Sequence, residues 1–113
     1  MRILYVENHA AFAETVRQKF LSQHLVKIVP SLSAAREQMH GNEFDLLLVD
    51  YDLDDGKGAE LVREVRACAN RIAIIGVSSH EEGNAALLQA GADAICSKMD
   101  FDQIQSVIEH IAK

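Results

Sequence analysis

A chain of 113 residues is the length of one domain, which excludes most multidomain enzymes and predicts a single domain spanning residues 1–113. With 49% hydrophobic and 25% charged residues it has the composition of a globular protein, and with 5% aromatics and no Trp its core has to be aliphatic. Eleven basic against seventeen acidic side chains leave a net charge of −6, which argues against nucleic-acid binding by this chain alone and against anionic membranes.

Short apolar runs alternate with amphipathic segments along the whole chain, the pattern of α/β architecture with a parallel sheet. Ile3-Leu4-Tyr5-Val6 reads as the first strand and stops abruptly at Glu7-Asn8-His9. Ala10 to about Ser22 has helical spacing, with Phe12, Val16, Phe20 and Leu21 on one side. Leu25–Val29 is a second strand, interrupted by Lys27 and closed by Pro30. Ser33 suits the N-cap of a helix through Ala35 and Met39, which Gly41 ends.

Leu46-Leu47-Leu48-Val49 is the strongest strand and runs directly into Asp50, followed by a polar loop from Tyr51 to Gly58. The third helix turns Leu61, Val62 and Val65 inward. Ile72–Val77 is the fourth strand and ends at Ser78-Ser79. Ser79 with Glu82 has capping-box spacing for a fourth helix that Gly91 stops, and Asp100 with Gln103 repeats that spacing before the last helix. Between them, Ala94–Cys96 is a short fifth strand. No apolar run reaches the roughly 18 residues of a membrane span, and the N-terminus has no signal-peptide layout. Two cysteines, Cys68 and Cys96, make no disulfide framework and read as reduced, small core hydrophobes in a cytoplasmic protein.

Five strand–helix units predict a doubly wound, flavodoxin-like (βα)5 fold with strand order 2-1-3-4-5. The near-continuous apolar strands lie inside, and the strand with Lys27 and the short fifth strand lie at the edges. Ligands bind such sheets at the carboxyl ends of the strands beside the switch point, here between the first and third strands. Glu7, Asn8 and Asp50 fall there, with Ser78 and Lys98 ending the fourth and fifth strands. Hard oxygen ligands in such a crevice suit Mg²⁺, and a carboxylate beside a cation, a lysine and a hydroxyl can act as a nucleophile toward phosphorus. Asp50, Asp52, Asp54 and Asp55 do not form a Ca²⁺ loop, because Leu61 stands where its twelfth-position Glu is required. The five histidines have no metal-ligand spacing.

The chain resembles a response-regulator receiver domain of two-component signalling, of the single-domain chemotaxis-regulator type. The resemblance rests on Val6-Glu7-Asn8-His9, on Leu48-Val49-Asp50 with Gly58 eight residues on, on Gly76-Val77-Ser78-Ser79, and on Ala90-Gly91-Ala92-Asp93 leading to Lys98. It implies that Asp50 accepts a phosphoryl group from a sensor histidine kinase or phosphotransfer protein. It implies a Mg²⁺ site formed by Glu7, Asn8, Asp50 and the main-chain carbonyl of Asp52, with Ser78 and Lys98 binding the phosphoryl group. The implied chemistry is at most self-phosphotransfer and autodephosphorylation, not turnover of an external substrate. The implied output is a downstream protein effector bound through the face of the fourth helix, fifth strand and fifth helix, with a homodimer as a further candidate.

The chain departs from that family at four places. Asn8 replaces an acid, with Asp52 expected to compensate so that Mg²⁺ binding is weakened and not abolished. Ile95 stands where many members carry Tyr or Phe. Met99 follows Lys98 where a cis proline is usual, and Asp54 replaces another frequent proline. These departures define the alternative, a pseudo-receiver that docks partners without phosphate. Leu48-Val49-Asp50-Tyr51-Asp52 also resembles the first motif of haloacid-dehalogenase-like phosphatases, but that family carries it near the N-terminus and here it lies mid-chain. Five strand–helix units account for the full length, so the reading leaves either a stand-alone regulator or the receiver of a longer chain.

Overall fold

A computed structural model describes residues 1–111. Its elements in chain order are β1 (Arg2–Val6), α1 (Ala10–Phe20), β2 (Leu25–Val29), α2 (Leu32–Gly41), β3 (Leu46–Asp50), β4 (Asp52–Leu53), β5 (Gly56–Lys57), α3 (Gly58–Ala67), β6 (Ala73–Ser78), α4 (Glu81–Ala90), β7 (Ala94–Ser97), a 3₁₀ turn (Lys98–Gln103) and α5 (Ile104–Ile111). The main sheet is parallel, in the order β2-β1-β3-β6-β7. This is the expected 2-1-3-4-5 order once the two-residue hairpin β4–β5 is counted, and the Lys27 strand and the short last strand are its edges.

The period-2 geometry of the strands divides the core into two layers. Leu4, Val6, Leu47 and Val49 face α2, α3 and α4, where they meet Leu32, Leu61, Val62 and Leu87. Ile3, Tyr5, Leu46, Leu48 and Val77 face the other way, onto Val16 of α1 and Ile104 and Ile108 of α5. All five residues of β3 are buried, which is why its sequence reads as one apolar run. Each fully buried aliphatic side chain contributes about 1.5–3 kcal/mol, and the central strands and the helices over them share that core.

The helix starts are where local expectation and structure part. Ser31, not Ser33, caps α2, accepting the Ala34 N–H at 3.1 Å, while the Asp55 carboxylate takes the Leu32 and Ser33 N–H groups at 2.8 and 2.9 Å. With an acid from a distant loop supplying the cap, Ser33 is free to sit inside the first turn. Helix α4 begins at Glu81 with His80 as N-cap and no side-chain cap, so the Ser79–Glu82 box does not form. The chain after β7 first makes the 3₁₀ turn, in which Ser97 accepts the Met99 N–H, so the Asp100–Gln103 box does not open α5. Cys96 is buried as expected, and burial pushes its thiol up to about 11. Cys68 is exposed at the end of α3 and is not a core residue. Among the described residues no helix is long and apolar enough to cross a membrane.

Candidate functional site

The register of the sheet brings the polar residues together. Glu7 follows the last residue of β1, Asp50 is the last residue of β3, and β1 and β3 pair side by side through Val6 and Val49. Both side chains lie in the strand-alternation phase of Tyr5 and Leu48, on the α1–α5 side of the sheet. Lys98, the first residue after β7, reaches across that end of the sheet. Its ammonium lies 2.6 Å from Glu7 Oε1 and 3.0 Å from Asp50 Oδ2. The remaining Asp50 oxygen, Oδ1, accepts the Tyr51 N–H at 2.8 Å.

All three groups are withdrawn from water. Glu7 is 1% exposed and Asp50 5%, and the Lys98 side chain retains 15%. Burial is the main reason that the Asp50 carboxyl is pushed up to about 6, reinforced by the Glu7 charge and opposed by Lys98 and the Tyr51 N–H. Burial alone would lower the Lys98 ammonium, but its hydrogen bonds and charge pairing with Glu7 and Asp50 outweigh that and raise it. The ammonium also lies 5.1 Å from the Phe12 ring centroid, a cation–π contact that reading by motif does not find. The Lys98–Met99 bond is trans, as are all peptide bonds among the described residues, and Lys98 still reaches both carboxylates.

Backbone geometry explains the glycine eight residues after Asp50. A side chain at Gly58 would collide with the Asp50 carbonyl oxygen, and the Gly58 N–H donates to the Tyr51 carbonyl at 2.6 Å, closing the loop under the acceptor. Ser78 ends β6, one residue beyond the register partner of Asp50, and is 2% exposed. Its hydroxyl oxygen accepts the His80 N–H at 3.2 Å, and no hydrogen bond joins it to Asp50 among the described residues. A side chain at Gly83 would meet that hydroxyl at 2.6 Å and Tyr51 Cβ at 3.0 Å, so the glycine lets α4 close over the rim.

The loop after β3 departs from expectation. The Asp52 carboxylate does not compensate for Asn8. It is ion-paired with Lys57 across the β4–β5 hairpin, and its side chain is 58% exposed. Asp52 and Lys57 are register partners there, which is why their side chains meet each other and not the crevice. The acid beside Asn8 is instead Asp54, whose Oδ1 accepts the Asn8 amide at 3.1 Å. An aspartate in a position where proline is frequent was the available signal for it.

Among the described residues, no group of three or more His, Cys, Asp or Glu is arranged to hold a metal ion. The donor set is a mixed one: two buried carboxylates and an amide. Asn8 Oδ1 is buried without a partner, a hard oxygen with nothing to bond, and this fits a Mg²⁺ ligand. One further buried hydroxyl, that of Tyr5 beneath the site, also lacks a partner; burial above all, then the charges of Glu7 and Asp50, hold it protonated.

Comparison with known proteins accords with this arrangement. A family model described as the response regulator receiver domain matches residues 3–109. The transcriptional regulatory protein CitB of Klebsiella pneumoniae is 28% identical over 116 residues, covering 97% of this chain and 50% of that protein, so the chain spans about half the length of this curated relative. A CheY-like response regulator receiver domain protein from Methanospirillum hungatei is 25% identical with a TM-score of 0.84, over 98% of this chain and 93% of that one. The receiver domain of a Pseudomonas aeruginosa sensor histidine kinase, with a magnesium ion coordinated in its active-site cleft, shares the fold at 23% identity and a TM-score of 0.86, over 96% and 94% of the two chains.

Proposed function

Because this chain belongs to the response-regulator receiver domain family, we propose that Asp50 is its phosphoryl acceptor, serving a sensor histidine kinase or phosphotransfer protein in the cytoplasm. The observation that carries this reading is the Lys98 ammonium held between the two buried carboxylates of Glu7 and Asp50 at the switch point of the sheet.

In the forward step an Asp50 carboxylate oxygen attacks the phosphorus of a phosphohistidine. A P–O bond forms, the P–N bond breaks, and the imidazole leaves with its electron pair. In the reverse discharge, water attacks the same phosphorus and the P–O bond breaks, returning the carboxylate and inorganic phosphate. Glu7, Asn8, Asp50 and the Asp52 carbonyl would hold Mg²⁺, which when bound neutralises charge on the phosphoryl oxygens. Lys98, already tied to the acceptor, is positioned to follow the new negative charge as Asp50 becomes an acyl phosphate. Ser78, whose hydroxyl oxygen accepts the His80 N–H, would turn its O–H toward a phosphoryl oxygen at the junction between β6 and α4. Both movements alter the ends of α4 and β7.

The face of α4, β7 and α5 is the surface for a protein effector; on it Leu88 of α4, 44% exposed, lines a shallow groove with Ile95, Ser97 and Asp100. Ile95 lies in this face without an aromatic ring to rotate, so the signal here is read from the repositioning of Ser78 and Lys98 themselves.

The test is incubation with Mg²⁺ and acetyl phosphate, with intact mass read for the wild type and for Asp50→Asn. The reading requires gain of one phosphoryl group by the wild type and none by the variant. No gain by the wild type, from acetyl phosphate or from a phosphorylated kinase, overturns it in favour of a phosphate-independent docking module.

A further inference from the structure

The Asn8 amide stands between two different environments. Its Nδ2 donates to Asp54 Oδ1 at 3.1 Å, and its Oδ1 is buried with no partner. The amide could be turned over only by bringing its oxygen against a carboxylate oxygen, a repulsive contact in place of a charge-assisted hydrogen bond. Asp54 therefore sets which end of the amide faces the crevice, and it presents the oxygen.

Asp54 is itself held. It sits at the tip of the β4–β5 hairpin, between Leu53, whose side chain is buried, and Asp55, whose two carboxylate oxygens cap α2. The hairpin thereby ties the orientation of Asn8 to the frame of the fold.

We propose that Asp54 is a positioning residue for the cation site: its carboxylate locks the Asn8 amide so that Oδ1, and not Nδ2, is offered to a divalent cation. This deepens the reading of a cation-assisted Asp50 and rests on it. An aspartate at position 8 would present oxygen either way round. An asparagine presents oxygen or N–H, and only one of these binds a cation. The substitution at position 8 thus creates a need that Asp54 meets, in the way that partners of metal ligands commonly fix ligand orientation.

The experiment measures affinity for Mg²⁺ alone, by calorimetry on the full chain, with no phosphodonor. Asp54→Ala is expected to weaken binding about tenfold, the usual scale for loss of such an orienting partner. Asp54→Asn, which keeps an oxygen to accept the Asn8 amide, is expected to stay within about threefold of wild type. In an Asn8→Asp background there is no amide to orient, so adding Asp54→Ala is expected to leave affinity close to that of Asn8→Asp alone. A common Tm for Asp54→Ala and wild type without the cation checks that the hairpin is intact.

Equal affinity of Asp54→Ala and wild type overturns the inference while leaving the function of Asp50 standing. Equal weakening by Asp54→Ala in both backgrounds also overturns it, since that pattern means general charge or loop disruption. Equal loss in Asp54→Asn and Asp54→Ala assigns the effect to charge and overturns orientation. Wild type that binds no Mg²⁺ overturns the cation-assisted reading itself.

Discussion

Neutralising the acceptor should make the protein more stable, by an amount that depends on pH. The Asp50 carboxyl is pushed from an ordinary 3.8 up to about 6, first by burial and then by Glu7. In the folded state it therefore holds its proton more tightly than in the unfolded chain. Between those two values the folded state binds more protons, so stability falls as pH rises. Below about pH 3.8 the group is neutral in both states and costs nothing; above about 6 it is ionised in both, and the folded state bears the full penalty. Two units of separation correspond to about 3 kcal/mol at pH 7.5, falling to about 1.5 kcal/mol at pH 5. Replacing Asp50 by Asn keeps the shape and removes the titration. Urea denaturation followed by far-ultraviolet circular dichroism, with a chelator present, should show Asp50→Asn more stable than wild type by up to about 3 kcal/mol at pH 7.5. That gain should shrink by about half at pH 5. A variant no more stable than wild type at pH 7.5, or a gain that does not change with pH, would refute the account of the site as one that stores the cost of a buried charge.

Other perturbations follow from the same geometry. Lys98→Met leaves two buried carboxylates without their shared cation and should cost about 3–5 kcal/mol at pH 7.5, a loss partly relieved in a Lys98→Met, Asp50→Asn double variant, which still buries Glu7 unpaired, by the same denaturation assay. Gly58→Ala puts a methyl group against the Asp50 carbonyl and should lower stability by about 3 kcal/mol or more, with the loop beneath the acceptor distorted and Mg²⁺ affinity lost together with it. Arg66 donates to the carbonyls of Gly91, Asn70 and Ile72 and to Asp93 at the opposite end of β6, so Arg66→Ala should cost about 2–4 kcal/mol in denaturation while leaving Mg²⁺ affinity unchanged.

The strands were legible because they are buried on both faces, so that β1, β3 and β6 appear as unbroken apolar runs ended by polar residues. Their order follows from which of them carries Lys27 and which is short. Spacing also led to the convergence of Glu7, Asp50 and Lys98, since each directly follows or ends a strand and the strands end together. Contacts that cross between elements are another matter. Asp55 accepts the Leu32 and Ser33 N–H groups of α2 from 23 and 22 residues away, beside the Ser31 cap that stands where Ser33 was expected. No local pattern encodes the two-residue hairpin that turns Asp52 out to Lys57 and places Asp54 against Asn8; register across a turn decides it. Capping-box spacing before α4 and α5 was a weak guide for a local reason: Ser78 and Ser97 each accept the N–H two residues further on.

The central claim is that Asp50 is the nucleophile toward phosphorus. After treatment with acetyl phosphate and Mg²⁺, borohydride reduction converts an aspartyl phosphate to homoserine, which peptide mass mapping locates. The account predicts homoserine at position 50 alone, absent without Mg²⁺ and absent in Asp50→Asn; conversion at Asp52, Asp54 or Asp55, or none at all, would contradict it.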